Sequence, residues 1–204
     1  GFSEHAKMRL IISDSVKDAY RSDVRDKVFA LAYDAGVPMV LGYIAGRTCV
    51  LTTQSGTEHK IAELLFGSVG LSDPFESVEE GASAWRQALV AAVVVERKHS
   101  LHMQSLEFAH CSAVEKAAAY LGKRDLDKAV GELDRAIHEV KNGEEILRAY
   151  EAQGFSVAKA AKVTGVHANT VRHRLEALEE RVRFAEADLA LWAVWNALRP
   201  RTQW

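Results

Sequence analysis

Ser156-Val157-Ala158-Lys159-Ala160-Ala161-Lys162-Val163-Thr164-Gly165-Val166-His167-Ala168-Asn169-Thr170-Val171-Arg172-His173-Arg174-Leu175 is the stretch whose reading decides the second half of this 204-residue chain. Small and apolar residues recur at helical spacing on both sides of Thr164-Gly165, which predicts two short helices joined by a tight turn. Helices that meet at a steep angle need a small residue where they approach and a permissive one where the chain reverses. Ala161 and Gly165 stand at those places. Val157, Ala160, Val166, Val171, Leu175 and Leu178 then form an apolar face that pins the second helix to the first. His167, Asn169, Thr170, Arg172 and His173 are left on the outward side, near the start of the second helix.

In a helix-turn-helix that end enters the major groove of DNA. Asn can pair with adenine and Arg with guanine through two hydrogen bonds, while Thr or a helix-start N–H suits phosphate. Arg172, Asn169 and His173 are therefore the candidates for base edges, with Thr170, Arg174 and Lys162 on the backbone. His167 either bonds DNA or caps the helix, and Arg174 has an internal salt bridge as its alternative. The competing reading is a helical hairpin whose polar face is merely solvated.

Around this module the pattern is helical, with no convincing strand longer than Leu106-Glu107-Phe108, and helices are expected at 112–121, 126–139, 144–153, 156–163, 168–183 and 187–198. Gly122, Asn142-Gly143, Gly154 and Pro200 punctuate them. We read 105–204 as an all-α domain with the helix-turn-helix at about 156–182. Trp192 and Trp195, three apart on the last helix, read as core before interface.

The first half alternates instead. Met8–Ile12, Val40–Ile44, Cys49–Thr52 and Ser68–Leu71 are β-prone runs, with Gly46 available for a hairpin turn. Helices are expected from Val16 to Ala35, after a Thr57 cap, and after a Ser77 cap to Lys98. The order β-α-β-β-α-β-α predicts an α+β domain over 1–98, a four-stranded antiparallel-type sheet with helices on one face.

Composition narrows the function classes. The chain is 48% hydrophobic and 26% charged, as globular proteins are. It lacks the roughly 18-residue apolar run of a membrane helix and a signal-peptide layout at Gly1–His5, so a cytoplasmic place with no membrane partner is expected. Net charge is -2, but Phe155 onward carries eight Lys/Arg against five Asp/Glu, or +3, leaving -5 for the rest. Cys49 and Cys111 lack disulfide or zinc spacing and read as small buried residues. His99 and His102 are the only histidines at i,i+3 spacing, without acidic partners, so no metal and no cofactor is expected. A phosphate-cradling G-x-x-x-x-G-K-[ST] and catalytic Ser/His/Asp or Cys/His wording are missing too.

Ala160-Ala161 followed by Gly165-Val166-His167-Ala168-Asn169-Thr170-Val171-Arg172-His173-Arg174-Leu175 resembles the PucR/CdaR family, which reads A-A-x-x-L-x-V-H-R-N-T-V-x-Y-R-L here. His167, Asn169, Thr170 and Arg174 are the matched positions; Thr164, Ala168 and His173 stand where the family has Leu, Arg and Tyr. The resemblance implies a bacterial transcription regulator of a catabolic or metabolic operon that binds double-stranded DNA; because a single module rarely suffices for specificity, a homodimer on a paired site is expected. The resemblance also implies a small-molecule effector acting through an upstream domain. The alternative is a small-molecule or nucleotide sensor, or a protein-interaction domain, with a vestigial helix-turn-helix.

Within that family a GGDEF-like domain often precedes the module, and Gly67-Ser68-Val69-Gly70-Leu71-Ser72-Asp73-Pro74 is similar to its strand and turn. Two-metal nucleotidyl transfer needs clustered carboxylates. The hairpin Gly42-Tyr43-Ile44-Ala45-Gly46-Arg47-Thr48 has none, and Asp14 after the first strand reads as a turn or cap residue. We expect a degenerate, catalytically silent GGDEF-like domain, not an enzyme, serving dimerisation or signal relay.

Overall fold

The computed structural model describes residues 6–13, 22–53, 55–97, 104–121 and 123–198; Asp14, Gly122, the His99/His102 pair and Pro200 lie outside the described residues. The chain divides into two compact units, Gly1–Tyr120 and Leu121–Trp204.

In the first unit, β1 (Met8–Ser13), β2 (Met39–Ile44), β3 (Arg47–Thr53), β4 (Val69–Leu71) and β5 (Ser105–Glu107) form one sheet in the order β2-β3-β1-β4-β5. Its junctions are antiparallel except β4–β5, which is parallel. The β2–β3 hairpin closes with Ala45 at φ 49° and Gly46 at φ 79°, the double positive φ of a tight turn whose twist matches its strands. Between strands run α1 (Ser22–Asp34), α2 (Glu58–Leu64) and α3 (Gly81–Arg97), and α4 (Ala113–Tyr120) follows β5.

Helices cover both faces of the sheet, which corrects the expectation of one. Ile11 clusters with Val50 and Leu71 beneath Val24 and Val28 of α1 and Ile61 of α2. Its neighbour Ile12 points the other way, to Cys49 and to Ala88 of α3. Consecutive apolar residues in β1 are both fully buried, and only a sheet covered twice can do that. Gly70 is what lets α3 approach: a Cβ there would collide with the α3 backbone at Ala88 and Ala92.

The sheet also has a fifth strand. α3 is a crossover that returns the chain parallel to β4, and β5 overlaps the short strand-like run Leu106-Glu107-Phe108, which the sequence did not place in this sheet. Because β5 pairs within this sheet and α4 packs on α3, the first unit ends at Tyr120, beyond the expected 98. Thr57 does not cap α2 through its side chain; its hydroxyl shares a 2.7 Å hydrogen bond with Ser55 Oγ.

The second unit is all-helical: α5 (Lys123–Glu139), α6 (Gly143–Ala152), α7 (Val157–Thr164), α8 (Ala168–Glu179) and α9 (Glu186–Leu198). Its frame is α5 against α9. Trp192 and Trp195 are 0% and 3% exposed, so the stripe is core. Their indole N–H groups donate to carboxylates of α5, Trp192 to Asp134 at 2.9 Å and Trp195 to Asp127 at 2.7 Å. α8 stops at Glu179, four residues before the expected 183, in a turn where the N–H groups of Arg181 and Val182 both reach Leu178 O.

Candidate nucleic-acid interface

The two helices of the module are set by capping at each end. The Ser156 side chain accepts from Lys159 N and starts α7, and Gly165 at φ 68° ends it in the left-handed conformation. Thr164 donates its hydroxyl to Ala160 O at 2.8 Å, so a polar residue at a packed turn is satisfied locally. Ahead of α7 the chain turns through two successive left-handed residues, Gly154 and Phe155. The Phe155 ring is held edge-on to Tyr150 at 5.6 Å, and its N–H donates to Tyr150 O at 2.8 Å.

Ile146, Ala160, Ala161 and Val171 form the core of the module, joined by half-buried Val157, Val166 and Leu175. Both alanines are buried at the α7 contact, as small residues must be where α6 and α8 close on it. Ala168 is also packed on this cluster and presents no functional group outward. Burial pushes the Tyr150 phenol up from its ordinary value, helped by the charges of Glu186 and Glu179.

With Val171 and Leu178 facing inward, the opposite side of α8 shows Asn169, Arg172, His173 and Glu176, all exposed, at i, i+3, i+4 and i+7. Three of the seven predicted site residues thus share one face. His167 precedes the helix and caps it: Asn169 N donates to His167 Nδ1 at 3.2 Å. That role requires the tautomer with its proton on Nε2, which turns an N–H donor outward. Lys162 is exposed in the last turn of α7, and Thr170 and Arg174 flank the α8 face, half-buried. The buried Arg174 Nε has no hydrogen-bond partner, and the described residues give Arg174 no ion pair, so the internal salt bridge is not formed.

The exposed groups satisfy one another. Arg172 donates to Asn169 Oδ1 at 2.7 Å, and His173 Nδ1 lies 3.1 Å from Glu176 Oε2. Glu176 is the member of this face that sequence reasoning missed; its i+7 spacing from Asn169 was the available signal. The first turn of α8 holds no acidic residue, so the positive end of the helix dipole is not neutralised there.

In the first unit, the acid-free hairpin joins β2 to β3 within the sheet, and the partly buried charge lies elsewhere. Arg9 donates to Glu107 at 2.8 Å, and His59 Nε2 lies 3.0 Å from the other carboxylate oxygen. Among the described residues no group of three or more His, Cys, Asp or Glu is placed to hold a metal ion. No helix among them is long and apolar enough to cross a membrane.

Comparison with known proteins bears on the second unit. A search of curated proteins finds no match. Among solved structures, the Regulator of Polyketide Synthase Expression from Bifidobacterium adolescentis aligns at 18% identity over 100% of this chain and 84% of that one, with a TM-score of 0.44. The family model for the PucR C-terminal helix-turn-helix domain matches residues 144–198, spanning α6 to α9. Residues 144–198 are thus identified as a PucR-type C-terminal helix-turn-helix domain.

Proposed function

We propose that the chain binds duplex DNA in sequence-specific fashion, with α8 in the major groove, as a cytoplasmic regulator of a catabolic or metabolic operon. The observation that carries this reading is the exposed α8 face of Asn169, Arg172 and His173, beside a helix start free of acidic residues. Arg172 and Asn169 meet base edges after exchanging their mutual hydrogen bond for guanine and adenine partners, and His173 leaves Glu176 to do the same. Thr170, Lys162 and the outward Nε2–H of His167 take phosphates. Arg174, whose buried Nε lacks a partner, takes another.

One such module contacts too few base pairs for operator specificity, so the working form is a homodimer on a two-fold-related site. The first unit is a GGDEF-like domain that performs no nucleotidyl transfer. Its β2-β3-β1-β4 order supports that kinship, and the acid-free hairpin supports catalytic silence. A small-molecule effector reaches the regulator through an upstream domain.

Binding to a fragmented-genome DNA pool at two salt concentrations, followed by sequencing, tests the reading. A recurring two-fold-related site is the expected result. Weak retention, lost at the higher salt and without sequence preference, would overturn it in favour of a protein-interaction role.

A further inference from the structure

The two edges of the sheet are built differently. β5 is three residues long and carries Glu107, tied to Arg9 and His59. Short, charged edges of this kind resist pairing with other chains. Among the described residues β2 has β3 on one side only; it runs six residues and consists of Met39, Val40, Leu41, Gly42, Tyr43 and Ile44. None is charged, and none is proline. Val40 and Ile44 are 55% and 56% exposed although both are β-branched aliphatics.

We propose that β2 is the dimerisation strand, pairing antiparallel with β2 of a second copy to make one continuous ten-stranded sheet. This rests on the homodimer reading above and names the surface that forms it. The occupant is specified by the strand's self-complementarity. A two-fold axis perpendicular to the sheet keeps each face on its own side, so only residues of equal parity can stand opposite one another. Centring the axis on Gly42 sets Val40 opposite Ile44 of the second copy, and Leu41 opposite Tyr43.

The Val40–Ile44 pairs lie on the α3 side, because Met39 and Leu41 pack into the α1/α2 cluster. Both exposed aliphatics are thereby covered by each other, twice. Gly42 meets itself on the axis, where absent side chains let the two backbones close. A charged partner strand would find no counter-charge anywhere along β2, whereas the strand's own sequence fits it from Val40 to Ile44.

The axis makes a sharp test. Opposed Cα atoms in an antiparallel pair are about 4.5–5.5 Å apart, within disulfide reach. Gly42→Cys is free of steric cost, since a Cβ there meets nothing within 4 Å. Oxidation of this variant with diamide should yield a covalent dimer in most of the sample, read on a non-reducing gel. Val40→Cys should not cross-link to itself, because four residues of offset separate the two copies by about 14 Å. The parent chain is the background, as Cys49 and Cys111 are both buried.

Val40→Lys/Ile44→Lys sets like charges opposite one another at two exposed positions, and should weaken self-association at least 100-fold by sedimentation equilibrium while leaving the circular-dichroism spectrum unchanged. A parent dimer that survives the double Lys variant and does not link through Gly42→Cys would overturn this interface while leaving the homodimer reading intact. A parent chain that sediments as a monomer would overturn both.

Discussion

α8 and α9 both carry polar side chains, yet they spend them in opposite ways. On α8, Asn169 bonds Arg172 and His173 meets Glu176, neighbours three residues apart on an exposed face. On α9, the Trp192 and Trp195 indoles reach carboxylates 58 and 68 residues away in sequence, and Trp192 is fully buried. A local, solvated hydrogen bond is cheap to exchange for one to a ligand, because water already competes for both partners. A buried bond between distant segments is not, since breaking it strands a desolvated carboxylate. Where partners are near and wet the helix is free to bind; where they are far and dry it holds the fold.

The largest expected effect follows from the second half of that contrast. Trp192→Ala removes a fully buried indole and leaves Asp134, itself 8% exposed, without that donor. Its cost should reach about 3–5 kcal/mol, read as a lowered urea midpoint. A loss below about 1 kcal/mol would show that α9 is not the frame of the domain.

Gly165→Val comes next. The glycine sits at φ 68° with nothing within 4 Å of a built Cβ, so the penalty is conformational and not steric crowding from neighbours. About 1–2 kcal/mol is expected, with α8 tilted or frayed and DNA retention reduced alongside stability. Unchanged stability would mean the α7–α8 turn is not set by this backbone conformation.

The contrast between the helices was only partly legible in the sequence. Ala161, Gly165 and the apolar set around Val171 were readable because packing two short helices demands small and permissive residues at fixed offsets, and local spacing records that. The outward face of α8 was readable for the same reason, apart from Glu176. Asp134 and Asp127 were not: on α5 they look like ordinary acidic positions of a solvated helix, and nothing in their neighbourhood refers to tryptophans on α9. The second covering of the sheet was written in Leu10-Ile11-Ile12, where consecutive apolar residues signal burial on both faces. The order β-α-β-β-α-β was equally legible, whereas β5 depends on a parallel partner 36 residues upstream in register, Val69 with Ser105.

Arg172→Ala should barely move stability, within about 0.5 kcal/mol, because its partner Asn169 remains solvated. The change belongs in recognition: about 1–3 kcal/mol of discrimination lost at one base position, seen as a relaxed column in a binding-site selection. A selected site identical to that of the parent chain would remove Arg172 from base reading.

Glu144 lies between the two cases and gives the smallest effect. Burial works to raise its carboxyl, but hydrogen bonding and charge from Arg148, with Asn196 and His138 adding to them, hold it below the ordinary value of 4.5. The contacts link α6 to α9: Arg148 donates to Glu144 at 2.7 Å and to Asn196 at 2.9 Å. A carboxyl depressed in the folded state stabilises it fully above the unfolded value and loses that contribution as pH falls through the folded one. Glu144→Gln should therefore unfold at slightly lower urea than the parent at pH 7, and the gap should close as pH is lowered below about 4.5. With both side chains of the Glu144–Arg148 pair more than two-fifths exposed, added salt should narrow the gap at pH 7 as well. A gap that ignores both pH and salt would place Glu144 with the dry, fold-holding bonds of α9 and move the line between the two kinds of polar group outward by one shell.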